Sequence, residues 1–70
     1  MSLYTITVWR PGLDDRKLTL QFNDREVANE TASQLHKRGY EVDYDAYGTT
    51  VYRNVAAALA DTEAYIGPWN

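Results

Sequence analysis

Residues 23–39 have the sequence NDREVANETASQLHKRG, which combines the local signals of an amphipathic helix. Asn23 is suited to cap a helix N-terminus, and Glu26, three residues later, completes a capping-box pattern. Val27, Leu35 and the small residues between them recur on one helical stripe. Gly39 provides a left-handed stop. We therefore predict a helix from Asn23 to Gly39. Its single apolar stripe must be buried, and we expect it to pack on a sheet.

The chain before this helix has the pattern of a β-hairpin. Leu3 to Arg10 alternates and is rich in β-branched residues, which predicts a strand. Pro11-Gly12 breaks the strand, and residues 13–16 are predicted to continue a loop. Lys17 to Phe22 alternates again. The short connection favours an antiparallel pair.

The chain after Gly39 has the clearest period of two residues. Residues 40–45 predict a strand with Tyr40, Val42 and Tyr44 inward and an acidic outward row of Glu41, Asp43 and Asp45. Tyr47-Gly48 predicts a turn.

Thr49 to Arg53 predicts a fourth strand, and its pattern leaves two orientations open. Either Val51 or Tyr52 could face inward. We favour Val51 inward, with Tyr52 exposed or at the sheet edge.

A second helix is predicted from Val55 to about Tyr65. Asn54 can cap it, and its alanines have high helix propensity. Val55, Leu59 and Ile66 share a face, and Gly67-Pro68 ends the helix. Trp69, in the short tail, is expected to pack on the domain or on a partner.

Together these elements predict an α+β fold, a single domain over residues 1–70 with the order β-β-α-β-β-α. The central helix is expected to cover one face of a mainly antiparallel sheet. We favour the third strand beside the first, which would make the sheet antiparallel throughout. The alternative places the third strand beside the second through a right-handed parallel crossover.

Composition limits the classes of partner. The formal charge is −3, and this acidic balance disfavours binding to a phosphate backbone. The chain has 70 residues and no cysteine, so self-association into a homodimer is expected to add burial. No apolar run approaches membrane-spanning length and the N-terminus lacks a signal-peptide pattern, so we expect a cytoplasmic protein without a membrane partner.

Chemistry-bearing motifs do not stand out. The single histidine, His36, has no carboxylate near it in sequence and is interpreted as a favourable charge near a helix C-terminus. Carboxylates in a line along a strand, or the pair Asp14-Asp15 in a loop, do not match a calcium or magnesium site. We expect no enzyme activity, no metal and no cofactor.

The second face of the sheet gives the sharper hypothesis. A helix over Ile6, Val8 and Leu20 would leave a tryptophan and an acidic row opposite. We predict a non-enzymatic protein-binding module, an adaptor or inhibitor, that acts through a sheet face or edge. Its site residues are Thr7, Trp9, Glu41, Asp43, Asp45 and Tyr52. The alternatives are a nucleic-acid-associated module that uses loop arginines and tyrosines, and a small-molecule domain with a pocket between sheet and second helix.

One resemblance involves the middle of the chain. Leu20-Gln21-Phe22, the following helix and Val51-Tyr52-Arg53 resemble the first part of the SPOR family of peptidoglycan-binding domains. The chain departs from that family by its preceding hairpin and by lacking the glycine-rich strand after the second helix. We do not assign the chain to that family.

Overall fold

The fold was obtained as a computed structural model that describes residues 3–45 and 50–67, without the side chains at 13–15 and 45. The described elements are, in chain order, β1 (Tyr4–Arg10), β2 (Leu13–Phe22), α1 (Arg25–Lys37), β3 (Glu41–Asp45), β4 (Val51–Tyr52) and α2 (Val55–Ile66). The predicted α+β class and element order are confirmed. The predictions for Thr49, for the Tyr47-Gly48 turn and for the tail at Pro68 and Trp69 lie outside the described residues.

The sheet has the strand order β3-β1-β2-β4. β3 pairs with β1 in antiparallel register, as favoured from the sequence. The prediction of an antiparallel sheet throughout is wrong, because β4 pairs with β2 in parallel. β4 lies at the edge opposite β3, so its direction depends on a connection between distant edges rather than on a local turn.

The β1–β2 hairpin is tighter than predicted. β2 begins at Leu13, which pairs with Arg10, so residues 13–16 belong to the strand and not to a loop. Pro11 and Gly12 form the connection, and Gly12 has a φ of 84°, which fits the proline-then-glycine order of a type II turn. Charged residues at 14–16 interrupt the apolar alternation, so the sequence pattern did not predict this part of the strand.

Local capping signals set the helix ends. The cap of α1 is Asp24 and not Asn23: its Oδ1 accepts hydrogen bonds from the N–H groups of Glu26, at 2.8 Å, and Val27, at 3.4 Å. The predicted stop at Gly39 is confirmed by its φ of 95°. Asn54 caps α2 as predicted, since its Oδ1 accepts from the N–H of Ala57 at 2.8 Å.

Both helices pack on the same face of the sheet. Their buried residues form one cluster with the inward residues of β1, β2 and β4 and with the residue before β3: Ile6, Val8, Leu20, Phe22, Ala28, Leu35, Tyr40, Tyr52, Ala58 and Ile66. In α2, Ile66 is buried as expected, Val55 and Leu59 are half-buried, and the closest-packed positions are Ala58 and Thr62.

Two tyrosine predictions need correction. Tyr52 is only 9% exposed and Val51 is 42% exposed, so the favoured orientation of the fourth strand is wrong. Tyr52 pairs with Phe22 in the parallel register, and this neighbour, rather than any period in a two-residue strand, directs it into the core. Tyr44 is 63% exposed although it lies on the helix side, because β3 is an edge strand.

Candidate protein-binding face

The sheet side opposite the two helices carries the residues predicted for binding. Side chains alternate along a strand, and Ile6, Val8 and Leu20 point into the core. Their neighbours therefore point away from both helices. We call this surface the open face and define it by Thr7 and Trp9 of β1, Lys17 and Thr19 of β2, and Glu41 and Asp43 of β3.

Trp9 lies at an irregularity of the hairpin. The β1–β2 register shifts between Val8 and Arg10, whose partners are Leu18 and Leu13. Trp9 is the β1 residue between these two pairs, and residues 14–17 are the β2 residues between them. Such bulges commonly re-aim a side chain, and here the ammonium of Lys17 lies 4.9 Å from the ring centroid of the half-buried Trp9. Lys17 therefore covers one face of the indole ring by a cation–π contact.

A shallow hollow lies beside the indole ring. Its volume is about 260 Å³ and it is lined by Thr7, Trp9, Lys17, Asp43 and Tyr44. One wall is therefore aromatic, and charges of opposite sign border it. Three of the six predicted site residues, Thr7, Trp9 and Asp43, meet at this hollow.

The acidic row of β3 continues the open face toward the sheet edge. Asp43 pairs with Thr7, and Glu41 pairs with Trp9. Both carboxylates are exposed. Asp45, the third predicted member of the row, pairs with Thr5. Thr5 is only 4% exposed, so the accessible part of the face lies toward Trp9.

Two neighbouring residues of β3 form a hydrogen bond with each other at the outer edge of the strand. The backbone N–H of Tyr44 donates to Oδ1 of Asp43 at 2.9 Å. Ladder hydrogen bonds alternate in direction along an antiparallel pair. The Tyr44 contact therefore indicates that the backbone groups of Val42 and Tyr44 face away from β1, toward the free edge. The Tyr44 hydroxyl donates to Oδ1 of Asn29 at 2.9 Å and fixes this side chain on α1.

Tyr52, the sixth predicted site residue, does not belong to the open face. Its hydroxyl donates to Oδ2 of Asp61 at 2.7 Å, on the helix side of the sheet. Burial, together with the hydrogen bond and the charge of Asp61, raises the pKa of Tyr52 to about 12. We therefore remove Tyr52 from the candidate site.

Lys17 is the residue of the face whose role the sequence analysis missed. Once Val8 is paired with Leu18, an antiparallel register places residue 17 opposite residue 9, and this register is the signal that would have found Lys17.

Val51 is a further exposed apolar residue, and it pairs with Gln21 on the same side of the sheet.

The remaining charged groups are distributed elsewhere. Arg38 forms an ion pair with Glu63 across the two helices, and Arg16 donates from Nη1 to the carbonyl of Tyr65 at 3.4 Å. Across residues 3–45 and 50–67 no group of three or more histidine, cysteine or acidic residues is placed to hold a metal ion. No helix in that same part of the chain is long and apolar enough to cross a membrane.

Comparison with known proteins gives no relative. No protein-family model, no curated protein and no solved structure matches this chain. The resemblance to the SPOR family therefore has no support beyond residues 20–22, the helix that follows them and residues 51–53.

Proposed function

We propose that this chain is a protein-binding module, an adaptor or inhibitor, whose contact surface is the open face. The observation that carries the proposal is the placement of both helices on one side of the sheet. That placement leaves Trp9, with Lys17, Glu41 and Asp43 around it, on a side that no described helix covers.

The composition of the open face fits protein recognition. Tryptophan is enriched among residues that dominate binding energy, especially where polar neighbours surround it and exclude water. Trp9 has this setting, with Thr7 and the charged side chains of Lys17 and Asp43 beside the ring. Because the contact with Lys17 already orders the indole, less side-chain entropy is lost when a partner binds.

The two alternative functions receive less support from the geometry. A nucleic-acid surface needs a basic groove with aromatic platforms, whereas Glu41 and Asp43 lie beside Trp9 on the open face. A small-molecule site of ordinary size has a volume of roughly 300–1,000 Å³ and is largely enclosed. The hollow at Trp9 is smaller, and it lies on the side of the sheet away from α2.

The test uses the wild-type chain and three variants to capture a protein partner from the native host. The amount of partner that each variant captures is compared with the amount captured by the wild type. Trp9→Ala removes the aromatic centre, and Thr19→Arg adds a bulky charge to the open face. Tyr65→Ala is the matched control, because Tyr65 is 50% exposed on α2 and is remote from this face. We expect both open-face variants to lose the partner and Tyr65→Ala to keep it.

Each variant must be folded for the comparison to count, which far-ultraviolet circular dichroism checks. Thr19→Arg covers the case in which Trp9→Ala loses its fold. Undiminished capture by folded Trp9→Ala and Thr19→Arg would reject the proposal. Retention of an oligonucleotide that falls steeply with salt would instead favour the nucleic-acid alternative.

A further inference from the structure

We infer that the free edge of β3 binds an extended, basic segment of the partner, which adds a strand to the sheet beside the acidic row. The inference rests on the proposed function, because it names the class of partner segment. It depends on three features of β3: an edge that pairs with no other described strand, a known backbone orientation and a one-sided charge.

The edge is the first feature. β3 is the outermost strand on its side of the sheet, and β1 is its neighbour among the described strands. An edge strand offers a row of backbone donors and acceptors, on which an added strand can form main-chain hydrogen bonds. The N–H of Tyr44 is one such donor, and the Asp43 carboxylate satisfies it while the edge is free.

The charge of the strand selects the partner. Glu41 and Asp43 are exposed on the open-face side of β3, whereas Val42 and Tyr44 lie on the helix side. A neighbouring strand lies about 4.8 Å away, so its side chains on the open-face side would stand beside the two carboxylates. Opposite charges at such cross-strand positions attract. A segment that alternates basic and apolar residues matches both sides of β3.

The same charges disfavour the pairing of β3 with the β3 strand of a second copy of this chain. In an antiparallel pair of two β3 strands centred on Asp43, that residue would face its own copy across the axis. Like charges directly opposite one another destabilise a strand pair. Edge charges that prevent self-pairing are a known protective device, and here they also favour a strand of opposite charge.

The test uses three nine-residue peptides as probes. The first alternates lysine and valine. The second alternates glutamate and valine. The third repeats the lysine peptide with alternate backbone amides N-methylated, which removes donors without changing charge. We expect the lysine peptide to bind, with shifts at the amides of Val42 and Tyr44 in nuclear magnetic resonance, and the glutamate peptide not to bind. We expect at least about tenfold weaker binding for the methylated peptide.

Charge-reversal variants identify the site. Asp43→Lys should weaken binding of the lysine peptide by about tenfold or more. Glu30→Lys makes the same change of charge on α1, where Glu30 is exposed, and is the control that should keep binding. Equal binding of the methylated and unmethylated lysine peptides would overturn strand addition, because charge alone would then explain the affinity. Absence of binding, or amide shifts away from β3, would also overturn it.

The outcomes separate this inference from the proposed function. If Trp9→Ala and Thr19→Arg lose the native partner while the lysine peptide fails to bind, only the strand-addition inference is rejected. If both variants keep the native partner, the open-face proposal is rejected whatever the peptides show.

Discussion

Tyr52 shows how one side chain links the edge strand to the second helix. Its ring lies 6.1 Å from that of Phe22, between centroids, and its hydroxyl donates to Asp61 of α2. The hydroxyl thus adds a hydrogen bond between a two-residue strand and the helix that follows it.

We predict that Tyr52→Phe lowers the free energy of unfolding by about 1 kcal/mol at neutral pH, the usual net value of a hydrogen bond. The pKa of Tyr52 is raised to about 12 in the folded chain, against about 10 for an unperturbed tyrosine. The unfolded chain therefore loses this proton first, and the contribution of Tyr52 to stability falls as the pH rises from about 10 to about 12.

Urea unfolding at neutral pH and at intervals up to pH 12 measures both effects. Tyr65→Phe is the control, because Tyr65 is 50% exposed and accepts the hydrogen bond from Arg16 through its backbone carbonyl. The variant Tyr52→Phe should lose less stability than the wild type over the alkaline range. Parallel pH profiles for the wild type and Tyr52→Phe would contradict the assignment.

At the scale of elements, the ends of α1 give a second prediction. Asp24 accepts from two backbone N–H groups at the start of the helix. We expect Asp24→Ala to lower the free energy of unfolding by about 1 kcal/mol, the typical value of an N-cap. Asn23→Ala, one residue earlier, should have almost no effect. The midpoints of urea unfolding test this pair, and a larger loss for Asn23→Ala would return the cap to Asn23.

The elements also show which parts of the fold could be predicted from the sequence. Both helices were predicted because capping residues, helix-ending glycines and apolar spacing are local signals. The place of β3 beside β1 was favoured because it allows an antiparallel pair, and that pair is present. The first four residues of β2 were missed because charged residues hide the alternation there. The orientation of β4 was missed because two residues have no period, and only the pairing with β2 determines which side is buried.

The candidate site also has a part that the sequence predicted and a part that it left undecided. Alternation along β1 and β3 placed Thr7, Trp9, Glu41 and Asp43 on one side of the sheet, and this placement is now seen. Whether α2 covers that side could not be decided from the sequence, because α2 presents small residues over much of its surface. Its packing beside α1 depends on non-local contacts, such as the hydrogen bond from the Tyr40 hydroxyl to the carbonyl of Gly67 at 2.7 Å.

At the scale of the whole molecule, one core joins every element. Leu20 is fully buried in the cluster that also holds Ala28 of α1 and Ala58 of α2. The predicted homodimer would bury further surface of the chain, and it stays a prediction that sedimentation equilibrium can test. A chain of 70 residues buries only about 60% of its unfolded surface, so its total stability should be modest.

We therefore predict that Leu20→Ala, which removes a buried side chain at a typical cost of about 2–5 kcal/mol, leaves much of the chain unfolded at room temperature. Val51→Ala is the control, since Val51 is 42% exposed and should change stability by about 0.5 kcal/mol or less. Far-ultraviolet circular dichroism reports the helices. The chain has two tryptophans, so fluorescence measured in a Trp69→Phe background reports tertiary structure around Trp9. The two signals should fall together in urea, because both helices share the Leu20 core. Helical signal that persists after the fluorescence change would show that the helices and the sheet do not form one cooperative unit.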